Sequence, residues 1–146
     1  SELQRTRQTA ETILQAYDER PDLRVLDFLR EVDYGPDENQ PEDQVIARTC
    51  DAALHAWVRD AVPPPGWGVS PDNLIAEWAS LLDSLCGPIS WPPVLIVTSN
   101  GIARFVLDAV IKVQCELDSI KLKTGAYGLI RSDADGATLL EWNVRP

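Results

Sequence analysis

A short aliphatic run that passes at once into a helical pattern constrains this chain more than any other feature. Residues 94–97 read Val-Leu-Ile-Val, uncharged and mostly β-branched, which is the composition of a strand buried on both faces of a parallel sheet. Beyond Gly101, the residues Ile102, Phe105, Val106, Ala109, Val110 and Val113 recur at three-and-four spacing. That spacing predicts a helix with one apolar stripe, capped by Ser99 or Asn100. Between the two lies Thr98-Ser99-Asn100-Gly101, a small polar turn at the carboxyl end of a strand and the amino end of a helix. Free backbone N–H groups and the helix dipole favour an anion there, a phosphate or a carboxylate. Taken alone, the turn needs only the bend and the cap to explain it.

Charge limits what the anion site can be. The chain has 146 residues and a formal net charge of -10, so a phosphate backbone and an anionic bilayer are both repelled. No nucleic acid and no membrane partner is expected, and a bound anion requires a local basic pocket. The length fits a single domain over residues 1–146. Cys50, Cys86 and Cys115 stand far apart and match neither a disulfide framework nor a zinc knuckle; they read as reduced, mostly buried thiols of a cytoplasmic protein.

The remaining elements follow from periodicity and turn chemistry. Ser1 is a plausible N-cap for an opening helix whose apolar face holds Leu3, Ala10, Ile13, Leu14 and Tyr17, with Arg5 and Arg7 in its first turns. Asp37 to Asp43 read as solvated charges before and at the start of a helix that runs from about Glu42 to Arg59, burying Val45, Ile46, Thr49, Ala53, Leu54 and Trp57. His55 is the only histidine, and Asp51 and Arg59 at four-residue spacing make it a solvated or half-buried structural residue. Residues 61–68 are a stiff crossover containing Trp67, a candidate lid. Ser70-Pro71 starts a helix burying Leu74, Ile75, Trp78, Leu81, Leu82 and Leu85, and Cys86-Gly87-Pro88 stops it. Two strands, Ala126 to Arg131 and Thr138 to Val144, flank Ser132-Asp133-Ala134-Asp135-Gly136 as a hairpin.

Three separated segments carry a further signal, in order. Ser1-Glu-Leu-Gln-Arg5-Thr-Arg-Gln-Thr-Ala10, Leu29-Arg-Glu31-Val-Asp-Tyr-Gly35 and Val97-Thr-Ser99-Asn-Gly101-Ile-Ala-Arg104 resemble motifs of the histidine phosphatase superfamily, the phosphoglycerate mutase-like fold. The resemblance spans nearly the whole chain. It implies an α/β fold, three-layered α/β/α with a mainly parallel sheet and a carboxyl-terminal β-hairpin. It further implies Arg5 at the transferring phosphoryl group, Glu31 as proton donor to the leaving oxygen, and Ser99, Asn100 and Gly101 as phosphate-binding positions. Such chemistry needs cationic donors on the equatorial oxygens and a carboxyl that partial burial helps to keep protonated.

Two positions depart from the family pattern. The nucleophilic histidine of an Arg-His-Gly strand is expected upstream of Ser1, which makes the chain amino-terminally incomplete. Ser99 stands where the family has its second histidine; a neutral hydroxyl can bond a phosphoryl oxygen but contributes less to a charged transition state. The implied functions are phosphomonoester hydrolysis or phosphoryl transfer through a phosphohistidine, or non-catalytic binding of a phosphorylated small molecule or phosphoprotein. No metal or other cofactor is expected, and the sequence is compatible with a homodimer.

Overall fold

The computed structural model describes residues 1, 3–86 and 93–145. Pro71 pre-sets the first turn of the longest helix among them, α4 (Pro71–Ser84), with Ser70 at the N-cap position. Trp78 and Leu82 are its buried residues, and Leu74, Ile75 and Leu81 pack against the same core. The Trp78 indole N–H donates to the Ile102 carbonyl at 3.0 Å, which ties this helix to the turn after residues 94–97.

The preceding helices are shorter than their sequence pattern. α1 spans Gln4–Leu14 and follows Leu3 at the N-cap position, not Ser1; the Ser1 hydroxyl instead accepts from the Leu3 N–H at 3.3 Å. It buries only Thr6 and Ala10, and Tyr17 lies beyond it and exposed. The single helix expected over 42–59 is two, α2 (Glu42–Thr49) and α3 (Asp51–Asp60), broken at Cys50, whose φ is 79°. A cysteine at positive φ interrupts the helical ladder while the apolar period runs on through it. Cys50 is consequently exposed, against the expectation of a buried thiol, while Cys86 and Cys115 are half-buried.

The largest difference is in the sheet. Residues 93–99 have no regular secondary structure, and Val94 and Leu95 are 59% and 61% exposed. The strand expected at 94–97 is therefore an irregular segment without a strand partner among the described residues; β-branched composition favours an extended backbone, but only a neighbour completes a ladder. The sheet that is described has three strands, β1 (Lys112–Val113), β2 (Tyr127–Asp133) and β3 (Gly136–Val144), in the order β1-β3-β2. β1 runs parallel to β3 over two residues, and β2 pairs antiparallel with β3 from Tyr127↔Val144 to Asp133↔Gly136. The longer pairing is antiparallel, not parallel.

The helix expected from Gly101 onward is also divided, into α5 (Asn100–Ala103) and α6 (Val106–Ala109), with the backbone already extended at Val110. Phe105 between them and Leu139 on β3 are the largest fully buried side chains. Around Phe105 the core collects Leu29, Val32, Trp57, Trp78, Leu82, Ile102, Val106 and Ala137. Of the apolar stripe read from the sequence, Ile102, Phe105 and Val106 are in the core, Ala109 and Val110 pack against it and Val113 is exposed on β1, and the backbone that carries them is not one helix. No helix is long and apolar enough to cross a membrane among the described residues.

Candidate functional site

Three side chains distant in sequence meet where α1, the Leu29–Gly35 segment and the start of α5 converge. Arg5 projects from α1, and its Nη2 donates to Glu31 Oε2 at 3.3 Å and to Ser99 Oγ at 3.4 Å. The guanidinium lies at the surface, its side chain 64% exposed, whereas Glu31 is 19% exposed. The other Glu31 oxygen accepts the Val32 N–H at 3.1 Å. Gly101 is the reason this carboxylate fits: a Cβ built there would collide with Glu31 Oε1 and come within 3.3 Å of both Val32 methyl groups. The fourth expected position behaves differently. Asn100 turns its side-chain oxygen away, to accept from the Leu122 N–H at 3.0 Å, while Ser99 occupies the N-cap position of α5 without a side-chain cap bond.

Two further groups act on this cluster. Arg104 is 4% exposed; its Nη1 donates to the Trp57 carbonyl at 2.7 Å and its guanidinium lies 4.2 Å from the centroid of the Trp57 ring. Burial lowers its pKa, and the neighbouring Tyr34 and Glu31 side chains oppose that shift; an arginine stays protonated under such shifts. The Tyr34 phenol is pushed up to about 12, first by burial and next by the Glu31 carboxylate. Near the Glu31 carboxylate are two guanidinium charges, Arg5 bonded to it and Arg104 within its electrostatic reach, in a cleft that Asp33, Asp37, Glu38, Glu42 and Asp51 also line. Arg104 lies in the quoted Gly101-Ile-Ala-Arg104 motif, so its position was visible in the sequence while its electrostatic part was not. Tyr34 likewise lies in the quoted Leu29–Gly35 segment, with nothing in the sequence to mark its burial beside Glu31.

The site opens into a cleft of about 1510 Å³, lined among others by Arg5, Glu31, Tyr34, Asp37, His55 and Trp67. Its wall is fixed by one buried carboxylate. Asp37, expected to be a solvated charge, is buried; it accepts from Arg48 through Nε at 2.6 Å and again through Nη2, and from the Trp67 indole at 2.7 Å. Arg48 also donates to the Pro65 carbonyl at 2.9 Å. The crossover read as a candidate lid is therefore pinned, and Trp67 is wedged edge-on between Tyr34 and Trp57, with centroids at 4.7 and 5.2 Å.

Asp37 makes stability depend on acid. The Arg48 hydrogen bond, then that from Trp67, holds its carboxyl below the usual range against the opposing effect of burial. A carboxyl lowered in the folded state contributes stability that is full above its unfolded pKa and lost as pH falls through the folded one. Thermal melts of the wild type and Asp37→Asn across the acidic range are expected to converge as pH falls. Parallel profiles would show that Asp37 carries none of this dependence.

His55 lines the far side of the cleft, exposed on α3 with Nε2 3.4 Å from the Asp51 carboxylate, while Arg59 pairs with Asp60 at 2.7 Å. No imidazole stands beside Arg5 and Glu31 among the described residues, and none of those residues form a group of three or more His, Cys, Asp or Glu able to hold a metal ion.

The model of the histidine phosphatase superfamily (branch 1) matches residues 1–145. The chain belongs to the histidine phosphatase superfamily. No curated protein and no solved structure matches it. Superfamily membership gives the convergence at Glu31 a frame: the residues that meet there come from the three segments whose order in the sequence resembles the family's motifs.

Proposed function

We propose that this superfamily member binds the phosphoryl group of a phosphorylated ligand at Arg5 and Ser99, and that the whole protein acts in phosphomonoester hydrolysis or phosphoryl transfer. One observation carries the reading: Arg5, Glu31 and Ser99, 26 and 94 positions apart, share hydrogen bonds through one guanidinium nitrogen. Arg5 offers its N–H groups to the equatorial phosphoryl oxygens, with Gly101 and the start of α5 beside them. Glu31, when protonated, is placed to give its proton to a leaving alkoxide. The nucleophile in this reading is a histidine on a strand laid against residues 94–97, which have no strand partner among the described residues and whose exposed Val94 and Leu95 such a strand would cover. That strand would extend the sheet toward a parallel, three-layered arrangement.

A second reading, a non-catalytic relative that binds a phosphorylated small molecule or phosphoprotein, is favoured by Ser99. A neutral hydroxyl at that position supports binding through a hydrogen bond and leaves one cation fewer for a charged transition state.

Both readings require a saturable anion site. Titration of inorganic phosphate, followed by amide NMR shifts, is expected to perturb Ser99, Gly101 and Val32 together at one dissociation constant, on the order of 1 mM or tighter. Shifts that stay linear, or that fall elsewhere on the surface, would exclude this site.

A further inference from the structure

Arg5 is already paired with a carboxylate, that of Glu31. We infer that phosphate binding is proton-linked: the ligand takes the Arg5 and Ser99 hydrogen bonds as Glu31 gives up Arg5, and Glu31 takes a proton as it does so. The inference rests on the phosphate-site reading above and adds to it how the site is filled.

The geometry leaves little room for both anions. A single nitrogen, Arg5 Nη2, serves Glu31 Oε2 and Ser99 Oγ. Glu31 Oε1 is engaged by the Val32 N–H and lies over Gly101, so close that no Cβ fits between. A phosphoryl oxygen bonded to Arg5 Nη2 and Ser99 Oγ would lie directly against Glu31 Oε2. Two ionised oxygens in contact repel, whereas a protonated carboxyl turns that contact into a hydrogen bond.

Charge balance gives the same answer. Arg5 from α1 bonds Glu31, Tyr34 and Arg104 lie within its electrostatic reach, and Arg30, Asp33 and Glu38 line the same cleft; Ser99 and Gly101 bring no charge. Tyr34, pushed up to about 12, stays neutral at working pH. A phosphate dianion beside an ionised Glu31 would add to the negative charge that Glu31, Asp33 and Glu38 already bring to the cleft. Protonation of Glu31 removes the one of those charges that lies against the ligand. The step is balanced: a solvent proton adds to the Glu31 oxygen released by Arg5, the Arg5–Glu31 hydrogen bond breaks, and bonds from Arg5 to the phosphoryl oxygens form. The ligand thereby arrives with the proton that the proposed acid would donate.

Sulfate is the probe, because its charge does not change across the working pH range. Calorimetric titrations of the wild type in buffers of different ionisation enthalpy are expected to show about one proton taken up per sulfate bound. Affinity should fall by up to about tenfold per unit of rising pH. Glu31→Gln is expected to bind sulfate at least tenfold more tightly at neutral pH, with no proton uptake and a flat pH profile. Wild-type binding without proton uptake, or a pH dependence that survives in Glu31→Gln, overturns the inference and leaves the phosphate site standing. Absence of sulfate and phosphate binding in both proteins overturns the site itself.

Discussion

Phe105→Ala is expected to destabilise the protein by about 3–5 kcal/mol, the largest stability loss of any single truncation proposed for this chain. Phe105 is fully buried at the junction of α5 and α6, where the backbone is too irregular to hold its own shape. Deletion of the ring removes the transfer energy of its carbons and leaves a cavity that the short helices and the Trp57 indole fill only in part. The consequence extends to the cleft. Phe105 packs on Trp57 with centroids at 6.1 Å, Trp57 on Trp67 and Trp67 on Tyr34, so one aromatic chain joins the core to the wall of the site. A drop in melting temperature on the order of 10 °C, accompanied by a change in tryptophan fluorescence, is the expected result. Phe105→Leu, which keeps most of the volume, should lose less than half as much. Equal losses for both variants would show that the cavity is not the cause.

The parts of the site that were legible in the sequence are those set by short segments. Arg5, Glu31, Ser99 and Gly101 each lie in a run of residues whose spacing is itself informative, and the structure places them together. What was not legible depends on partners from elsewhere. Asp37 sits in an acidic run that composition alone assigns to solvent; the approach of Arg48 and Trp67, 11 and 30 positions away, turns it into a buried anchor. The break at Cys50 was hidden because the apolar residues keep helical period across it, and period reports which face is buried, not whether the backbone ladder is continuous. Residues 94–97 show the converse: their composition reports an extended backbone, while pairing is a property of the neighbour. The Asn100 side chain serves the Leu122 backbone, a contact with no local signature in the turn that carries it.

Arg5→Ala is expected to weaken inorganic phosphate binding by about tenfold to a hundredfold, the range for the loss of hydrogen bonds to a charged group, and to leave the melting temperature nearly unchanged. The two halves of that expectation come from one observation. Arg5 is largely exposed, so its ion pair with Glu31 is screened by water and contributes little to folding, while a bound phosphate would draw on the guanidinium directly. Arg5→Lys keeps the charge but offers a point donor instead of a planar fork, and an intermediate affinity is expected. The Arg5→Ala, Glu31→Gln double variant separates attraction by Arg5 from competition by Glu31. If Glu31 competes with phosphate only while Arg5 holds it near, the gain from Glu31→Gln should shrink in the Arg5→Ala background, and the two changes should fail to add. Strict additivity would mean that Glu31 repels the ligand from where it stands, independent of Arg5. Undiminished phosphate affinity in Arg5→Ala would place the anion elsewhere in the cleft, which Arg30 and Arg59 also line.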